Sequence, residues 1–173
     1  SADASFMLRL LNGMFCLGIT TERLEAYATQ LGADCPFFIT SQPVYATGIG
    51  NEFHPIDLSL KGKHIVIVKP DVFVSTKEAY SMVCPEKPEV TLDAKIVRPI
   101  TEWRDTISND FEKGIFALHP ELNEIKEKLY ALGARYAAMS GSGSALFGLF
   151  DEPVEGVEVH FKGCFCEQYP LDV

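Results

Sequence analysis

The chain has 173 residues, of which 47% are hydrophobic and 23% charged, and its formal net charge is −9. These values are typical of a globular protein long enough for one domain plus part of another. No apolar run approaches the roughly 18 residues that a membrane span needs, and no cluster of lysines and arginines could follow a nucleic-acid backbone. The composition therefore argues against a membrane-spanning protein and against nucleic acid as the main partner, and it favours a small ligand or a protein as the partner.

The cysteines and histidines indicate neither a disulfide framework nor a metal centre. The five cysteines are an odd number without C-x-x-C spacing, and the four histidines are scattered along the chain. We expect reduced thiols in a cytoplasmic protein, with no metal held by protein side chains. The acidity of the chain also means that bound phosphates would need local donors or Mg²⁺.

The first predicted element is an amphipathic helix in SADASFMLRLLNGMF, which Ser1 or Asp3 could cap. Its apolar face is predicted to consist of Ala4, Met7, Leu8, Leu11 and Phe15. A helix N-terminus presents free backbone N–H groups that can bind an anion. A second helix is predicted in ERLEAYATQL, ending at Gly32.

The next segments favour short strands. Residues 36–39 and 44–46 read as two strands, and a turn at 48–50 leads to a further extended segment at 53–56. Residues 1–60 therefore form a block of helices and antiparallel strands.

A second unit is predicted to begin near residues 61–63, the most linker-like part of the chain. Residues 64–68 are an almost continuous apolar strand, and Ser75 or Thr76 caps a short helix that continues to Met82. A proline-containing loop follows over 85–99, then helices over about 103–116 and 120–132, and strands at 134–139, 145–150, 157–161 and 164–166. This order predicts an α+β fold with helices on one face of a sheet.

Two glycine-rich segments, GIGNEF at 48–53 and GSGSAL at 141–146, do not match the dinucleotide-binding fingerprint. Their sixth residues are Phe53 and Leu146 rather than glycine or alanine, and an apolar strand follows GSGS. We interpret 48–50 as a hairpin turn. Residues 140–144 fit equally well a turn and a loop that a phosphate could approach closely.

Asp34, in LGADCPFFIT, follows a helix-ending glycine and precedes the apolar segment 36–39. It could bond its own backbone in a turn, or it could be a partly desolvated proton acceptor at a strand edge. Composition alone favours the turn. Ser75 and Thr76 likewise favour a helix cap over a ligand contact.

Taken in order, these segments resemble the GHMP kinase superfamily. SADASFMLRLLN is similar to the helix that follows the phosphate loop of these kinases, LGADCPFF to the segment with their catalytic aspartate, and GARYAAMSGSGSALFGLF to their third glycine motif. ATGIGNEFHPI, VFVSTKEAY and NDFE are most similar to the branch that phosphorylates a cytidylyl-methylerythritol in the non-mevalonate route to isoprenoids.

The resemblance implies a two-lobed α+β kinase with its active site in the cleft between the lobes. Residues 1–60 would be the remainder of the N-terminal, ATP-binding domain, and residues 61–173 a C-terminal ferredoxin-like α+β sandwich. ATP with Mg²⁺ would be the phosphoryl donor, and the 2-hydroxyl of the cytidylyl-methylerythritol would be the acceptor. A homodimer is among the expected assemblies.

The resemblance also implies roles for individual residues. Asp34 would be the general base or hydroxyl-orienting group, and Thr76 would contact the substrate. Residues expected to bind ATP or its phosphates are Ser1, Ala2, Gly141, Ser142 and Gly143. We assign no catalytic lysine, because Lys61, Lys63 and Lys69 lie in the wrong part of the chain.

The sequence lacks the N-terminal strand, lysine and glycine-rich loop of the family. We therefore expect it to be the C-terminal part of such a kinase, inactive by itself. One alternative is a GHMP kinase for another small alcohol, such as mevalonate or homoserine, which a panel of acceptors would distinguish. Another is a non-catalytic binding module, which an initiator codon directly before Ser1 would favour.

Overall fold

The structure is a computed structural model that describes residues 1–85 and 88–172. The chain forms two compact units, Ser1–Asp57 and Leu58–Val173. The division lies three residues before the domain boundary expected from the sequence. The identity of the first unit as an ATP-binding domain remains a prediction.

The first unit packs three helices beside a β-hairpin. Its elements are α1 (Ala2–Met14), α2 (Thr21–Leu31), α3 (Phe37–Thr40), β1 (Val44–Thr47) and β2 (Glu52–Pro55). The Thr20 hydroxyl caps α2 by accepting a hydrogen bond from the Arg23 N–H. The helices share a small core of Leu24, Ala28, Cys35 and Ile39.

The predicted strand at residues 36–39 is wrong, because this segment forms the short helix α3. Pro36 has helical dihedral angles, which its ring favours at the beginning of a helix. Ser41, in the left-handed region, ends the helix. β1 instead pairs with β2, in a register that runs from Val44 opposite Pro55 to Thr47 opposite Glu52. The predicted turn between them is confirmed.

The apolar face predicted for α1 is only partly buried. Ala4 and Leu8 pack against the core of the unit. Met7 and Phe15 are 52% and 61% exposed. The fully buried residue of this helix is Ser5, whose hydroxyl is hydrogen-bonded.

The second unit is an antiparallel sheet with helical segments on both faces. Its helices are α4 (Thr76–Met82), α5 (Leu92–Ile96), α6 (Trp103–Thr106), α7 (Glu112–Leu118) and α8 (Pro120–Ala131). Its strands are β3 (His64–Lys69), β4 (Tyr136–Met139), β5 (Leu146–Phe150) and β6 (Phe165–Pro170), in the order β4-β5-β3-β6. All the pairings are antiparallel. This order confirms the predicted ferredoxin-like α+β sandwich.

Alternating side chains of the strands form two clusters. Val66 and Val68 face a core completed by Leu122 and Leu129 of α8. The opposite face carries Tyr136, which packs against Trp103 of α6 with 5.6 Å between ring centroids. The prediction of helices on one face only is therefore wrong.

Three local predictions in the second unit are also wrong. The proline-containing loop holds the helix α5, and the helix predicted over 103–116 is interrupted between α6 and α7. Residues 157–160 form a 3₁₀ helix, Val157–His160, rather than a strand. Among the described residues, no helix is both long and apolar enough to cross a membrane.

Candidate active site

A pocket of about 520 Å³ in the first unit brings together three of the sequence-predicted site residues, Ser1, Ala2 and Asp34. Ser1 and Ala2 belong to the N-terminus of α1, and Asp34 belongs to the turn before α3. The remaining lining comes from α3 and the hairpin. These residues are Phe37, Phe38, Val44, Ala46, Gly50 and Phe53.

Ser5 fixes the beginning of α1 to the turn that carries Asp34. Its buried hydroxyl donates to the Cys35 carbonyl oxygen at 2.7 Å and lies 3.2 Å from the Ser1 carbonyl oxygen. Ser1 is the N-cap, but its side chain makes no capping hydrogen bond. Sequence reasoning missed Ser5, although a serine between Ala4 and Leu8 on the buried side of a helix was the available indication.

Asp34 lies in the turn at residues 33–36, and its side chain is exposed. It therefore precedes a helix rather than occupying a strand edge, which corrects the second interpretation considered from the sequence. The hairpin turn approaches its carboxylate closely. A Cβ atom built on Gly50 would lie only 3.1 Å from Asp34 Oδ1. An exposed carboxylate in an open pocket can accept a proton from a bound hydroxyl group.

Aromatic rings form the apolar wall of the pocket. Phe37 packs edge-to-face against Phe38, with 5.1 Å between ring centroids, and lies 6.4 Å from the ring of Phe53. Sequence reasoning did not assign these rings to a site. The paired phenylalanines directly after Asp34 were the available indication.

Thr76 and Ser142, also predicted site residues, come together in the second unit. Their hydroxyl oxygens lie 3.3 Å apart. Thr76 is the first residue of α4, and the preceding Ser75 accepts the Glu78 N–H at 3.5 Å. The helix cap predicted here is confirmed, and the Thr76 hydroxyl is exposed beside it.

The glycine turn, residues 140–144, joins β4 to β5. The Ser140 N–H donates to the Ala145 carbonyl, and the Gly143 N–H donates to the Ser140 carbonyl. Ser144 Oγ donates to the Val72 carbonyl at 2.5 Å. Within the described part of the chain, the N–H groups of Gly141 and Ser142 have no hydrogen-bond acceptor. Hydrogen bonds thus hold the two ends of the turn, and the two N–H groups in its middle are donors without an acceptor among the described residues.

Residues 96–163 match the family model described as GHMP kinases C terminal. This part of the chain is similar to the C-terminal domain of GHMP kinases. The match covers α6, α7, α8, β4, the glycine turn and β5, and it includes all three predicted residues of the turn.

Two curated relatives that match almost the whole chain carry the same name. The chain is 53% identical over 171 residues to 4-diphosphocytidyl-2-C-methyl-D-erythritol kinase of Bacteroides fragilis, covering 99% of this chain and 62% of the relative. It is 54% identical over 166 residues to the kinase of the same name from Parabacteroides distasonis, covering 95% and 61%. The chain therefore spans about three fifths of the length of these curated relatives.

Solved GHMP-type kinases have the same fold. The crystal structure of 4-(cytidine 5'-diphospho)-2C-methyl-D-erythritol kinase aligns with a TM-score of 0.78 and 30% identity, over 97% of this chain and 63% of that one. Homoserine kinase from Cytophaga hutchinsonii aligns with a TM-score of 0.61 and 15% identity, over 94% and 61%. At 15% identity, the similarity to homoserine kinase supports a shared fold and nothing further.

Metal ligation by the protein was not expected from the sequence. Within residues 1–85 and 88–172, no three or more histidine, cysteine, aspartate or glutamate side chains form a group that could hold an ion. The side-chain oxygens among the residues that line the pocket of the first unit are the Ser1 hydroxyl and the Asp34 carboxylate.

Proposed function

We propose that the complete protein containing this chain is an ATP-dependent kinase of the non-mevalonate isoprenoid route. It would phosphorylate the 2-hydroxyl of 4-diphosphocytidyl-2-C-methyl-D-erythritol. The names of relatives at 53–54% identity support the substrate. The observation that carries the chemistry is the pocket in which the Asp34 carboxylate and the N-terminus of α1 lie together.

Asp34 is the proposed general base. Phosphoryl transfer needs an aligned hydroxyl group and stabilised phosphate charge, and little further chemistry from the protein. The substrate hydroxyl oxygen forms a bond to the γ-phosphorus while the bond from that phosphorus to the β–γ bridging oxygen breaks. The hydroxyl proton passes to the Asp34 carboxylate, and ADP leaves.

The phosphates are proposed to be received by the first turn of α1, at Ser1 and Ala2, because the free N–H groups of a helix N-terminus attract anions. Mg²⁺ is usually bound by one or two carboxylates together with substrate phosphates, and it neutralises phosphate charge. In this pocket the Ser1 hydroxyl would ligate the ion beside the phosphates, and the Asp34 carboxylate would remain free to accept the proton. We further propose that Gly141, Ser142 and Gly143 contact ATP and that Thr76 contacts the substrate.

The test measures ATP-dependent phosphorylation of the cytidylyl substrate by the complete gene product and its Asp34→Asn variant. Losing the base should lower kcat by about 10²- to 10⁴-fold while changing the KM for ATP little. Asp57→Asn is the matched control, because Asp57 is an exposed carboxylate of the same unit that does not line the pocket. Unchanged turnover in Asp34→Asn would contradict the proposed role.

The acceptor is tested in the same assay. Mevalonate and homoserine are offered at equal concentration, and we expect kcat/KM to be highest for the cytidylyl substrate. Preference for either other alcohol would assign the protein to a different GHMP kinase activity. Absence of turnover with all three would favour a non-catalytic module.

A further inference from the structure

β4 is an edge strand, since its place in the sheet order leaves one side without a neighbouring strand. Backbone groups of an antiparallel strand point alternately toward and away from their partner. The Ser140 N–H points toward β5 and bonds the Ala145 carbonyl. The backbone N–H and C=O groups of Ala137 and Met139 therefore point toward the open edge. Unpaired backbone groups at such an edge can pair with a strand of another chain.

Three side chains satisfy this open edge. The Tyr130 hydroxyl donates to the Ala137 carbonyl and accepts the Ala137 N–H, both at 3.1 Å. Glu112 Oε1 accepts the Met139 N–H at 2.8 Å. Asn109 Nδ2 donates to the Met139 carbonyl, also at 2.8 Å. The edge is thus capped by side chains rather than by a strand.

Asn109 differs from the other two because it also reaches the glycine turn. The same amide nitrogen donates to the Gly141 carbonyl at 2.8 Å. The carbonyl of Gly141 and the N–H of Ser142 belong to one planar peptide group. This peptide is trans, so the two groups point in opposite directions. Holding the Gly141 carbonyl toward Asn109 therefore directs the Ser142 N–H away from Asn109. This N–H is one of the two donors in the middle of the turn that have no acceptor among the described residues.

Asn109 is itself fixed in place. Its Oδ1 accepts the Phe111 N–H at 2.9 Å, and its carbonyl accepts the Glu112 N–H at the same distance. Glu112 is buried and paired with Lys126, whose Nζ lies 2.5 Å from Oε2. A side chain held by its own segment in this way loses little further freedom when it orients another group.

We propose that Asn109 is a positioning residue for ATP binding, because it directs the Ser142 N–H of the glycine turn toward the nucleotide. The proposal rests on the proposed function of that turn. In this proposal the NDFE segment, residues 109–112, influences ATP binding through the backbone of the glycine turn and does not itself contact the substrate.

The test compares Asn109→Asp with Tyr130→Phe in the complete gene product. The aspartate keeps the size of asparagine and can still accept the Phe111 N–H, but its carboxylate cannot donate to the Met139 and Gly141 carbonyls. We expect the KM for ATP to rise about tenfold, because the loss of one or two hydrogen bonds has an effect of this size. The KM for the alcohol should not change.

Tyr130→Phe is the matched control, because it removes side-chain hydrogen bonds from the same open edge without touching the turn. It should change the KM for ATP less than about twofold. Lowering the pH should partly rescue Asn109→Asp, since the protonated carboxyl regains one donor. Equal KM values for ATP in Asn109→Asp and the unsubstituted protein, or equal increases in both variants, would overturn the proposal.

A second readout keeps the proposal separate from the assigned reaction. Titrating ATP into ¹⁵N-labelled protein should shift the Ser142 amide resonance, and Asn109→Asp should reduce that shift. If the protein phosphorylates none of the offered alcohols but the two titrations still differ in this way, the proposed function fails and the inference stands. Identical Ser142 responses in the two proteins, including no response in either, would overturn the inference whatever the turnover.

Discussion

At Gly50, the absence of a side chain leaves room for the Asp34 carboxylate. A Cβ atom there would lie 3.1 Å from Asp34 Oδ1, closer than most real contacts of a Cβ. We predict that Gly50→Ala displaces the carboxylate and lowers kcat of the complete protein by about 10- to 100-fold, since small misplacements of a catalytic group are costly. Steady-state kinetics with the cytidylyl substrate would measure this.

Gly48→Ala is the control for backbone strain at the same turn. Both glycines have a positive φ, +68° at Gly48 and +94° at Gly50, so alanine is strained at either by about 1–3 kcal/mol. A Cβ on Gly48 would meet Asn51 and Glu52 and not Asp34. Both variants should unfold at lower urea concentrations, but only Gly50→Ala should lose kcat. Equal kcat losses would show that strain, and not the carboxylate, is responsible.

Single residues were predictable from the sequence only where their role is local. The turn at 48–50 and the cap at Ser75 follow from the residue types themselves. The contact of Gly50 with Asp34 and the bond from Ser5 to Cys35 join parts of the chain that only the fold brings together. No pattern within a short window indicates such contacts.

Among the elements, those with strong local patterns were predicted correctly. α2, α8 and β3 each combine a clear apolar pattern with a recognisable beginning or end. The segment at 36–39 was misassigned because a short apolar run fits a buried helix as well as a strand. Asn109 lies in the interruption between α6 and α7, and its side-chain partners Met139 and Gly141 are 30 and 32 residues away along the chain, so a local sequence pattern does not reveal them.

An ion cluster joins three strands of the second unit at one end. Asp151, which follows β5, accepts from Lys63 at 2.6 Å and from Arg135 at 2.5 Å, and these two residues precede β3 and β4. The hydrogen bonds from Lys63 and Arg135 lower the pKa of Asp151. A lowered pKa in the folded state means that the stabilisation is present above the ordinary aspartate pKa and is lost as the pH falls through the lowered value.

We therefore predict that Asp151→Asn lowers the free energy of unfolding by about 1 kcal/mol at pH 7, a modest value because the groups are partly exposed. Urea denaturation would measure the difference. It should shrink below about pH 3.9, the ordinary pKa of aspartate, and also in about 1 M salt, which screens exposed pairs. A difference that persists undiminished at pH 2 would contradict the electrostatic explanation.

For the whole molecule, the distribution of buried residues predicts that the second unit folds by itself. Both hydrophobic clusters of its sheet are built from residues 58–171 alone, whereas the first unit has a core of four buried hydrophobic residues. A block of 57 residues with so small a core should be marginal in isolation. We expect residues 58–173, expressed alone, to unfold cooperatively in urea and residues 1–57 to show no cooperative transition.

Trp103 provides the measurement, because it is the single tryptophan of the chain and is 3% exposed. Its emission in the isolated second unit should match that of the whole chain before unfolding and shift to longer wavelength at the same urea concentration. Leu129→Ala is the internal control, since truncating this fully buried leucine should lower the free energy of unfolding by about 2–5 kcal/mol in both contexts. Emission already shifted without urea, or insensitivity to Leu129→Ala, would mean that the second unit needs the first to form its core.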